Sequence, residues 1–204
     1  MSIFIVTGTG TGIGKTVFAA GLAGALGAHY WKPIQAGVDP EGDKETVARL
    51  SGLPASHILP EAYRLMTPAS PHLAARLDGV EIEIDRLALP QVDGPLVIEG
   101  AGGALVPVSE TMLMADLFQH WGAPVILCAP TELGTINHSL LSIEALRSRG
   151  VPISGIAFIG EPHTENERII PLLGKVRSLG RLPHLEMLDA PALASAFASA
   201  ISLP

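Results

Sequence analysis

A glycine-rich segment near the start of the chain constrains the fold more than any other feature. The run Gly8-Thr9-Gly10-Thr11-Gly12-Ile13-Gly14-Lys15-Thr16 connects the apolar residues 3–6 to the longer stretch 15–26. A short, continuously apolar run is typical of a buried strand, whereas the longer stretch has the length of a helix. The segment therefore predicts a tight strand-to-helix connection, which is the repeating unit of α/β folds.

The same alternation continues along the chain. Short apolar runs predict further strands at residues 30–34, 96–98, 125–127 and 153–158. Longer stretches predict helices at residues 44–50, 85–89, 112–121, 137–149, 165–173 and 191–201, and residues 53–71 read as an extended loop. Continuously apolar strands separated by helices indicate a parallel sheet covered on both faces. We therefore predict one domain, residues 1–204, with a three-layer, doubly wound, mostly parallel α/β fold.

The composition limits the possible binding partners of the protein and its cellular compartment. The formal charge of −7 argues against binding to nucleic acid or to anionic membranes. No basic region precedes the first apolar stretch, so no signal peptide is expected, and residues 17–28 are too short to span a bilayer. The single cysteine, Cys128, follows an apolar run, and we expect a buried thiol in a reducing cytoplasm.

The ending Gly14-Lys15-Thr16 is typical of a phosphate-binding loop. In such loops backbone N–H groups surround the phosphates, the lysine reaches the β- and γ-phosphates, and the hydroxyl binds Mg²⁺. The usual spacing puts the first glycine at position 9, but Thr9 stands there and the nearest glycine is Gly8. We predict a P-loop NTPase-like domain whose nucleotide contacts are Gly8, Thr9, Gly12, Ile13, Gly14, Lys15, Thr16 and Val17. The alternative is a glycine-rich turn without a ligand.

Charged residues beside other predicted strands extend this site. Lys32 interrupts the apolar run 30–34, and Glu99 directly follows the run 96–98. Ligands bind at the carboxyl ends of parallel strands, so we expect Lys32 near the γ-phosphate and Glu99 beside Mg²⁺. Alternatively, Lys32 is a solvated edge lysine and Glu99 only ends a strand. Asp43 is predicted as a magnesium ligand, a helix N-cap, or both. Close approach of the backbone to the phosphates is expected at Gly100, Ala101 and Gly102.

Seven short motifs together resemble the dethiobiotin synthetase family. In chain order they are Val6-Thr7-Gly8-Thr9, Gly14-Lys15-Thr16, Lys32-Pro33, Asp43, Ser70-Pro71-His72, Glu99-Gly100-Ala101-Gly102-Gly103 and Leu133-Gly134-Thr135-Ile136-Asn137-His138. Their order and spacing are those of the family, and the displaced Gly8 matches it as well. The resemblance implies an ATP- and Mg²⁺-dependent cyclo-ligase. Such an enzyme carboxylates 7,8-diaminopelargonate with CO₂ and closes the ureido ring through a carbamic–phosphoric anhydride, giving dethiobiotin, ADP and phosphate.

The resemblance also implies roles for individual residues. The groups that act on the reacting carbamate and phosphate would be Lys15, Lys32 and Thr11, and those that hold Mg²⁺ would be Thr16, Asp43 and Glu99. Substrate contacts would come from Lys32, Ala36, Gly134, Thr135 and Asn137. The last three belong to a helix start that serves the neighbouring subunit in this family, which implies a homodimer with its substrate site near the interface. His72 would lie near the diamine without a catalytic role.

The chain departs from the family pattern in three places. Gly10 and Gly12 replace acidic residues that are common in the loop, and Ala36 replaces a substrate-facing serine. After the fifth strand, Ile159-Gly160 stands where the family often has an Asn-Asp pair that reads adenine. Base recognition is then expected from the backbone around Pro183, His184 and Leu185, or the base selectivity is looser.

Other interpretations of the phosphate loop stay open at this point. A partition-type ATPase carries a second lysine early in the loop, where this chain has Gly10. An amidotransferase-type cobyrinate synthase needs an additional glutaminase domain, for which 204 residues are too few. A nucleotide-binding regulatory module without turnover would leave Lys32 without a purpose.

Overall fold

The structure is a computed structural model that describes residues 2–38 and 41–204. Its strands are β1 (Ile3–Gly8), β2 (His29–Trp31), β3 (Ile34–Ala36), β4 (Tyr63–Leu65), β5 (Leu96–Gly103), β6 (Val125–Pro130), β7 (Ile153–Ile159) and β8 (Ser178–Leu182). Its α-helices are α1 (Lys15–Leu26), α2 (Asp43–Leu50), α3 (Pro71–Leu77), α4 (Met114–Trp121), α5 (Thr135–Arg147), α6 (Thr164–Gly174) and α7 (Ala190–Ala200).

Six strands form a parallel sheet in the order β2-β5-β1-β6-β7-β8. The first strand lies in the middle, where it pairs with β5 through Val6 and Glu99 and with β6 through Gly8 and Cys128. The strand order reverses direction there, and a crevice for ligands opens at the carboxyl ends of the strands in such sheets. The predicted doubly wound α/β fold is confirmed.

The two faces of the sheet carry separate apolar layers. Val6 and Cys128 belong to a layer with buried side chains of α1, α2 and α7, in which the rings of Phe18 and Phe197 lie 5.2 Å apart. Ile5 points to the opposite face, where side chains of α3 and α4 complete a second layer, and α5 and α6 cover the far end of the sheet. Cys128 is fully buried, as the sequence predicted.

The prediction of one strand over residues 30–34 is wrong. The segment divides into β2, which belongs to the main sheet, and β3, which forms a separate parallel pair with β4. The break falls at Lys32-Pro33, because a proline has no N–H to donate to a sheet ladder. Lys32 therefore lies between two sheets instead of inside one strand.

Three further regions differ from the sequence-based expectations. The segment 53–71 contains β4 and a 3₁₀ turn at Ala55–His57, and the helix expected at 85–89 is a 3₁₀ turn at Ile84–Leu87. The helix α3 and the edge strand β8 were not predicted. All of these elements are short, with at most seven residues, so their sequences carry too few periods of a hydrophobic pattern to be recognised. Among the described residues, no helix has both the length and the apolar character needed to cross a bilayer.

A glycine at the crossing of α1 and α2 offers a test of this packing. A Cβ atom on Gly24 would overlap the backbone carbonyl oxygen of Ser51. A Gly→Ala change inside a helix normally stabilises it by about 1 kcal/mol. Overpacking against rigid backbone costs about 1–3 kcal/mol, so we expect Gly24→Ala to lower the free energy of unfolding by up to about 2 kcal/mol.

Urea unfolding followed by circular dichroism measures this difference. The exposed neighbour Ala25 serves as the control, because Ala25→Ser changes the same helix without meeting the Ser51 carbonyl. We expect that variant to stay within about 0.5 kcal/mol of the parent protein. A stabilising Gly24→Ala change would show that the two helices are not in close contact at this point.

Candidate active site

The glycine-rich loop connects β1 to α1 and curls at the centre of the sheet's carboxyl edge. Gly12 and Gly14 have φ angles of 73° and 92°, a conformation in which other residues are strained. A Cβ atom on Gly8 would lie 2.5 Å from the Cδ1 atom of Ile13, so the displaced glycine lets the loop fold back onto its own strand. The backbone N–H of Thr9 donates to the Cys128 carbonyl oxygen at 3.0 Å and fixes the loop to β6.

Lys15 lies beneath this loop and is 6% exposed. Its Nζ atom donates to the Gly10 carbonyl oxygen at 2.6 Å, so the ammonium is held inside the curve of the loop. Burial lowers the pKa of Lys15, and repulsion from Lys32 lowers it further, although Glu99 opposes the shift. The neutral carbonyl does not balance this charge. An anion bound inside the loop would do so, and the free N–H groups at the start of α1 favour an anion at the same place.

Three oxygen-bearing side chains meet beside the loop. The Thr16 Oγ1 atom lies 2.9 Å from Asp43 Oδ1 and 2.9 Å from Glu99 Oε1. A hydroxyl has one proton, so it can donate to only one of two ionised carboxylates. The other contact brings two acceptors together, and a cation bound to the same oxygens would remove that conflict. Hydroxyl and carboxylate oxygens are the ligands that Mg²⁺ prefers, so this group of residues fits that ion.

Lys32 completes the cluster from the break between β2 and β3. Its Nζ atom lies 2.6 Å from Asp43 Oδ2 and 3.0 Å from Glu99 Oε1, and it donates to the Gly100 carbonyl oxygen at 3.2 Å. The side chain is buried, so the alternative of a solvated edge lysine is excluded. Burial alone would lower the pKa of Lys32, but the two carboxylates outweigh it and the pKa is raised.

The carboxylates are themselves held by residues that the sequence did not single out. Tyr30 is fully buried, and its hydroxyl donates to Glu99 Oε2 at 2.8 Å. Burial and then the negative charge of Glu99 raise the pKa of Tyr30, which keeps it a donor. Gln35 accepts from the backbone N–H of Asp43 at 3.0 Å and donates to the Gly37 carbonyl oxygen at 2.8 Å. Burial opposes ionisation of Asp43, but attraction and hydrogen bonding from Lys32 dominate and its pKa is lowered.

These groups line one cavity of about 640 Å³. Residues of four segments enclose it: the phosphate loop with the start of α1, the segment Lys32–Ala36 with Asp43, the segment Pro68–Pro71, and the end of β5. Thr11, Ala36, Ala101 and Gly102 lie on its wall, as does Ser70, to which the sequence assigned no role. Gly102 has a φ angle of 66°, and a Cβ atom there would lie 2.8 Å from Val106 and 3.4 Å from the Thr11 hydroxyl.

A smaller cavity of about 160 Å³ lies at the carboxyl ends of β6 and β7. His184 lines it together with Thr131 and the segment 159–163, whereas Pro183 and Leu185 do not. Ile159 separates this cavity from the phosphate loop, because a Cβ atom on Gly14 would lie 3.0 Å from it. Several backbone groups of this rim are already engaged: Thr131 O accepts from Asn166, Gly160 N donates to Leu182 O, and Gly160 O accepts from Arg181.

The start of α5 lies apart from the main cavity. Gly134, with a φ angle of 94°, precedes the helix, Thr135 is buried, and Asn137 is exposed. None of these three residues lines the 640 Å³ cavity within one chain. The next turn of α5 instead borders a separate cavity of about 300 Å³ on the outer side of the phosphate loop, through His138, Leu141 and Ser142. Leu133 and Leu141 are exposed beside it.

Comparison with known proteins places this site in a family. A family model described as an AAA domain matches residues 2–192. The ATP-dependent dethiobiotin synthetase BioD of Nitrobacter hamburgensis is 64% identical over 199 residues, covering 98% of this chain and 94% of its own. The protein of the same name from Rhodopseudomonas palustris strain HaA2 is 63% identical over 194 residues, covering 95% and 91%. The chain belongs to the dethiobiotin synthetase family. It is therefore an ATP-dependent ligase.

Solved structures of lower identity share the fold. A chain of the MinC:MinD cell division protein complex from Aquifex aeolicus has a TM-score of 0.54 at 15% identity, covering 96% of this chain and 86% of that one. A ParA family ATPase from Chlorobium tepidum has a TM-score of 0.53 at 17% identity, covering 99% and 91%. This likeness concerns the fold alone. Membership of the synthetase family decides against the partition-type ATPase interpretation.

The hydrogen bond beneath Glu99 generates a stability prediction. Tyr30→Phe removes the donor to a buried carboxylate oxygen, and bonds to charged groups contribute about 1.5–3 kcal/mol. We expect a loss of that size in the free energy of unfolding, measured by urea denaturation. Tyr63 is a matched control, because among the described residues its hydroxyl bonds only to neutral backbone groups of Glu83, accepting from the N–H at 2.8 Å and donating to the carbonyl oxygen at 3.5 Å. Tyr63→Phe should cost about 0.5–1.5 kcal/mol, and equal losses would show that the bond from Tyr30 is no stronger than a bond to neutral backbone.

Proposed function

We propose that this protein is a dethiobiotin synthetase that uses ATP and Mg²⁺ to carboxylate 7,8-diaminopelargonate with CO₂ and to close its ureido ring. The products are dethiobiotin, ADP and phosphate. The observation that carries the proposal is the buried ammonium of Lys32, held between Asp43 and Glu99 in the same cavity as the phosphate loop. A protein that only bound a nucleotide would have no use for a second buried cation at this point.

The residues of the cavity would have separate roles in the proposed reaction. Thr16, Asp43 and Glu99 would hold Mg²⁺, which when bound neutralises charge on the phosphate oxygens. Lys15 would bind the β- and γ-phosphates from within the loop, and Lys32 would lie on the side of the acceptor. Thr11 offers a hydroxyl at the rim between the loop and Gly102. No nucleophilic side chain is required, because positioning and fixed charge supply most of the acceleration in phosphoryl transfer.

The order of bond changes follows from the chemistry of the substrates. One amine of the diamine adds to CO₂ and becomes a carbamate. A carbamate oxygen then attacks the γ-phosphorus, and ADP leaves as the mixed anhydride forms. The second amine attacks the carbamate carbon, the five-membered ring closes, and phosphate leaves. The carbamate and the γ-phosphate are both anionic before the phosphoryl transfer, which is the reason for two lysines facing one cavity.

We further propose a homodimer in which the start of α5 of a second copy approaches the substrate's carboxylate. Two observations support this arrangement. Gly134, Thr135 and Asn137 do not line the main cavity of their own chain. The exposed side chains of Leu105 and Leu141 line the neighbouring cavity of about 300 Å³, and Leu133, directly before Gly134, is exposed as well. Contiguous exposed apolar residues mark protein interfaces, and free N–H groups at a helix start suit a carboxylate. A cytoplasmic location stays a prediction from the sequence.

A comparison of diamine-dependent phosphate release tests the function. With ATP, Mg²⁺ and bicarbonate, we expect release only when 7,8-diaminopelargonate is present. Lys32→Ala should lower kcat by about 10²–10³-fold, because it removes one preorganised charge from the reacting oxygens. Lys44→Ala is the matched control, since Lys44 pairs with Glu61 outside the cavity and should leave kcat within about twofold. Release that ignores the diamine would refute the proposed reaction.

We expect the protein to have only weak selectivity for the base of the nucleotide. None of the described residues that line the small cavity beyond Ile159 carries a side-chain amide, and the amide of Asn166 is bonded to Thr131 O. Sites built to hydrogen-bond a group reject analogues by about 10⁴-fold or more, whereas sites that rely on shape discriminate by about 10–10²-fold. We therefore expect kcat/KM for ATP to exceed that for GTP or CTP by less than about 100-fold. A preference above about 10⁴-fold would contradict this prediction.

A further inference from the structure

Ser70 and His72 form a pair at the edge of the active cavity. Ser70 immediately precedes α3, at the N-cap position, where a serine side chain normally accepts a bond from the helix's own backbone N–H groups. Here the hydroxyl makes no such bond. It lies on the cavity wall instead, and its Oγ atom is 3.0 Å from Nδ1 of His72. The hydroxyl is therefore placed beside the cavity, where it can contact a ligand, and it does not cap the helix.

The proposed reaction requires a proton acceptor, and this inference rests on that reaction. Aliphatic amines have pKa values of about 10.4, so a diamine enters the site with protonated nitrogens at neutral pH. An ammonium has no lone pair and cannot add to CO₂. The first nitrogen must lose two protons, one before it adds to CO₂ and one after addition to leave the carbamate, and the second nitrogen likewise loses two before the cyclic urea is complete. A group that takes these protons has to reach the cavity wall.

The other ionisable side chains of the cavity are engaged. Lys15 and Lys32 are cations, and both Asp43 and Glu99 bind Lys32 and the Thr16 hydroxyl. Asp43 and Glu99 are also the carboxylates assigned to Mg²⁺. Gly10 and Gly12 of the phosphate loop offer no side chain at all. Among the described residues that line the cavity, the hydroxyl of Ser70 is the one coupled to an imidazole.

We propose that Ser70 and His72 carry the proton of the substrate ammonium away from the reacting nitrogen. Ser70 Oγ accepts the N–H proton and, in the same movement, gives its own proton to Nδ1 of His72. The ammonium becomes a neutral amine whose lone pair forms the C–N bond, and the imidazole becomes an imidazolium. After addition to CO₂ the same nitrogen loses its second proton by the same route, once His72 has released the first to solvent, and the carbamate is left. His72 is half-buried and returns the proton to solvent from Nε2. Ser70 is the catalytic residue of the pair, and His72 acts through it as a positioning residue.

The surroundings of His72 leave it available for this role. Its backbone N–H donates to the Pro107 carbonyl oxygen at 3.3 Å, which fixes the start of α3 against the loop after β5. The charged groups of α3 and of the elements packed on it already have partners. Arg76 pairs with Glu110 of that loop, Asp78 binds Thr67, and Arg64 of β4 pairs with two glutamates, Glu45 and Glu61.

Four variants separate proton transfer from simple support of the fold. Ser70→Ala removes the link, whereas Ser70→Thr keeps a hydroxyl. His72→Asn keeps an acceptor for the serine but cannot take a proton, and His72→Ala opens space for added imidazole. The exposed histidine of α4, changed in His120→Asn, is the control. For each variant, kcat and KM for the diamine are measured from pH 6.5 to 9.5, with ATP affinity and thermal unfolding as checks on the fold.

Proton transfer through Ser70 and His72, called the relay below, predicts a distinct pattern of results. At pH 7 we expect Ser70→Ala and His72→Asn to lower kcat by about 100-fold, within the usual range for general base catalysis, with KM for the diamine changed less than about threefold. The loss should shrink towards pH 9.5, because solvent then deprotonates the amine. Ser70→Thr should keep most of the activity, and imidazole should restore part of it to His72→Ala. His120→Asn should follow the wild-type profile.

The outcomes also distinguish a failure of this proposal from a failure of the proposed function on which it rests. If the wild-type protein does not use the diamine, the proposed reaction fails. If the wild type does use it, a kcat unchanged in His72→Asn would overturn the relay. A loss equal at every pH, with no rescue by imidazole, would overturn it as well and leave the pair a structural role only.

Discussion

The buried contact of Lys32 with Asp43 and Glu99 is the interaction on which the rest of the site depends. Each of its three members comes from a different element: the break between β2 and β3, the start of α2, and β5. Removing one partner of such a buried cluster costs about 3–5 kcal/mol, because a charge is then left unpaired out of water. Two carboxylates against one ammonium also leave an excess of negative charge. The cluster therefore holds these elements together and attracts a further cation at the Thr16 hydroxyl.

Much of the fold follows from the sequence because its central strands are apolar on both sides. The strands β1, β5, β6 and β7 and the helices α1, α5 and α6 stand out through their hydrophobic runs. The short elements do not, since β4 exists only through its pairing with β3, and β8 contains Gly180 and Arg181 at an edge. Pro33 is a local signal for a strand break that the prediction of one strand over residues 30–34 overlooked. That the chain then enters a second sheet depends on the partner strand, which lies about thirty residues further on.

The site shows the same limit at the level of single residues. Lys15 and Thr16 were predicted from a motif, and Lys32 was noticed because a lysine interrupts an apolar run. Tyr30 was not, since a tyrosine in such a run resembles any core residue until the structure brings Glu99 within 2.8 Å of its hydroxyl. Ser70 before Pro71 resembles an ordinary helix cap, and its hydroxyl is revealed only by the missing cap bond. Contacts between distant segments carry this information, and no local pattern contains it.

The two lysines of the cavity have opposite environments, and this difference assigns their roles. The charge of Lys32 is balanced within the protein, so its pKa is raised and its position is fixed by Asp43 and Glu99. The ammonium of Lys15 donates a hydrogen bond to the neutral Gly10 carbonyl oxygen, and burial and repulsion from Lys32 lower its pKa. A polyphosphate in the loop would therefore gain most from Lys15, which binds it, whereas Lys32 is in place before any ligand arrives. A preorganised charge of this kind does not reorganise as the reaction proceeds, which is the property that lowers the barrier for phosphoryl transfer.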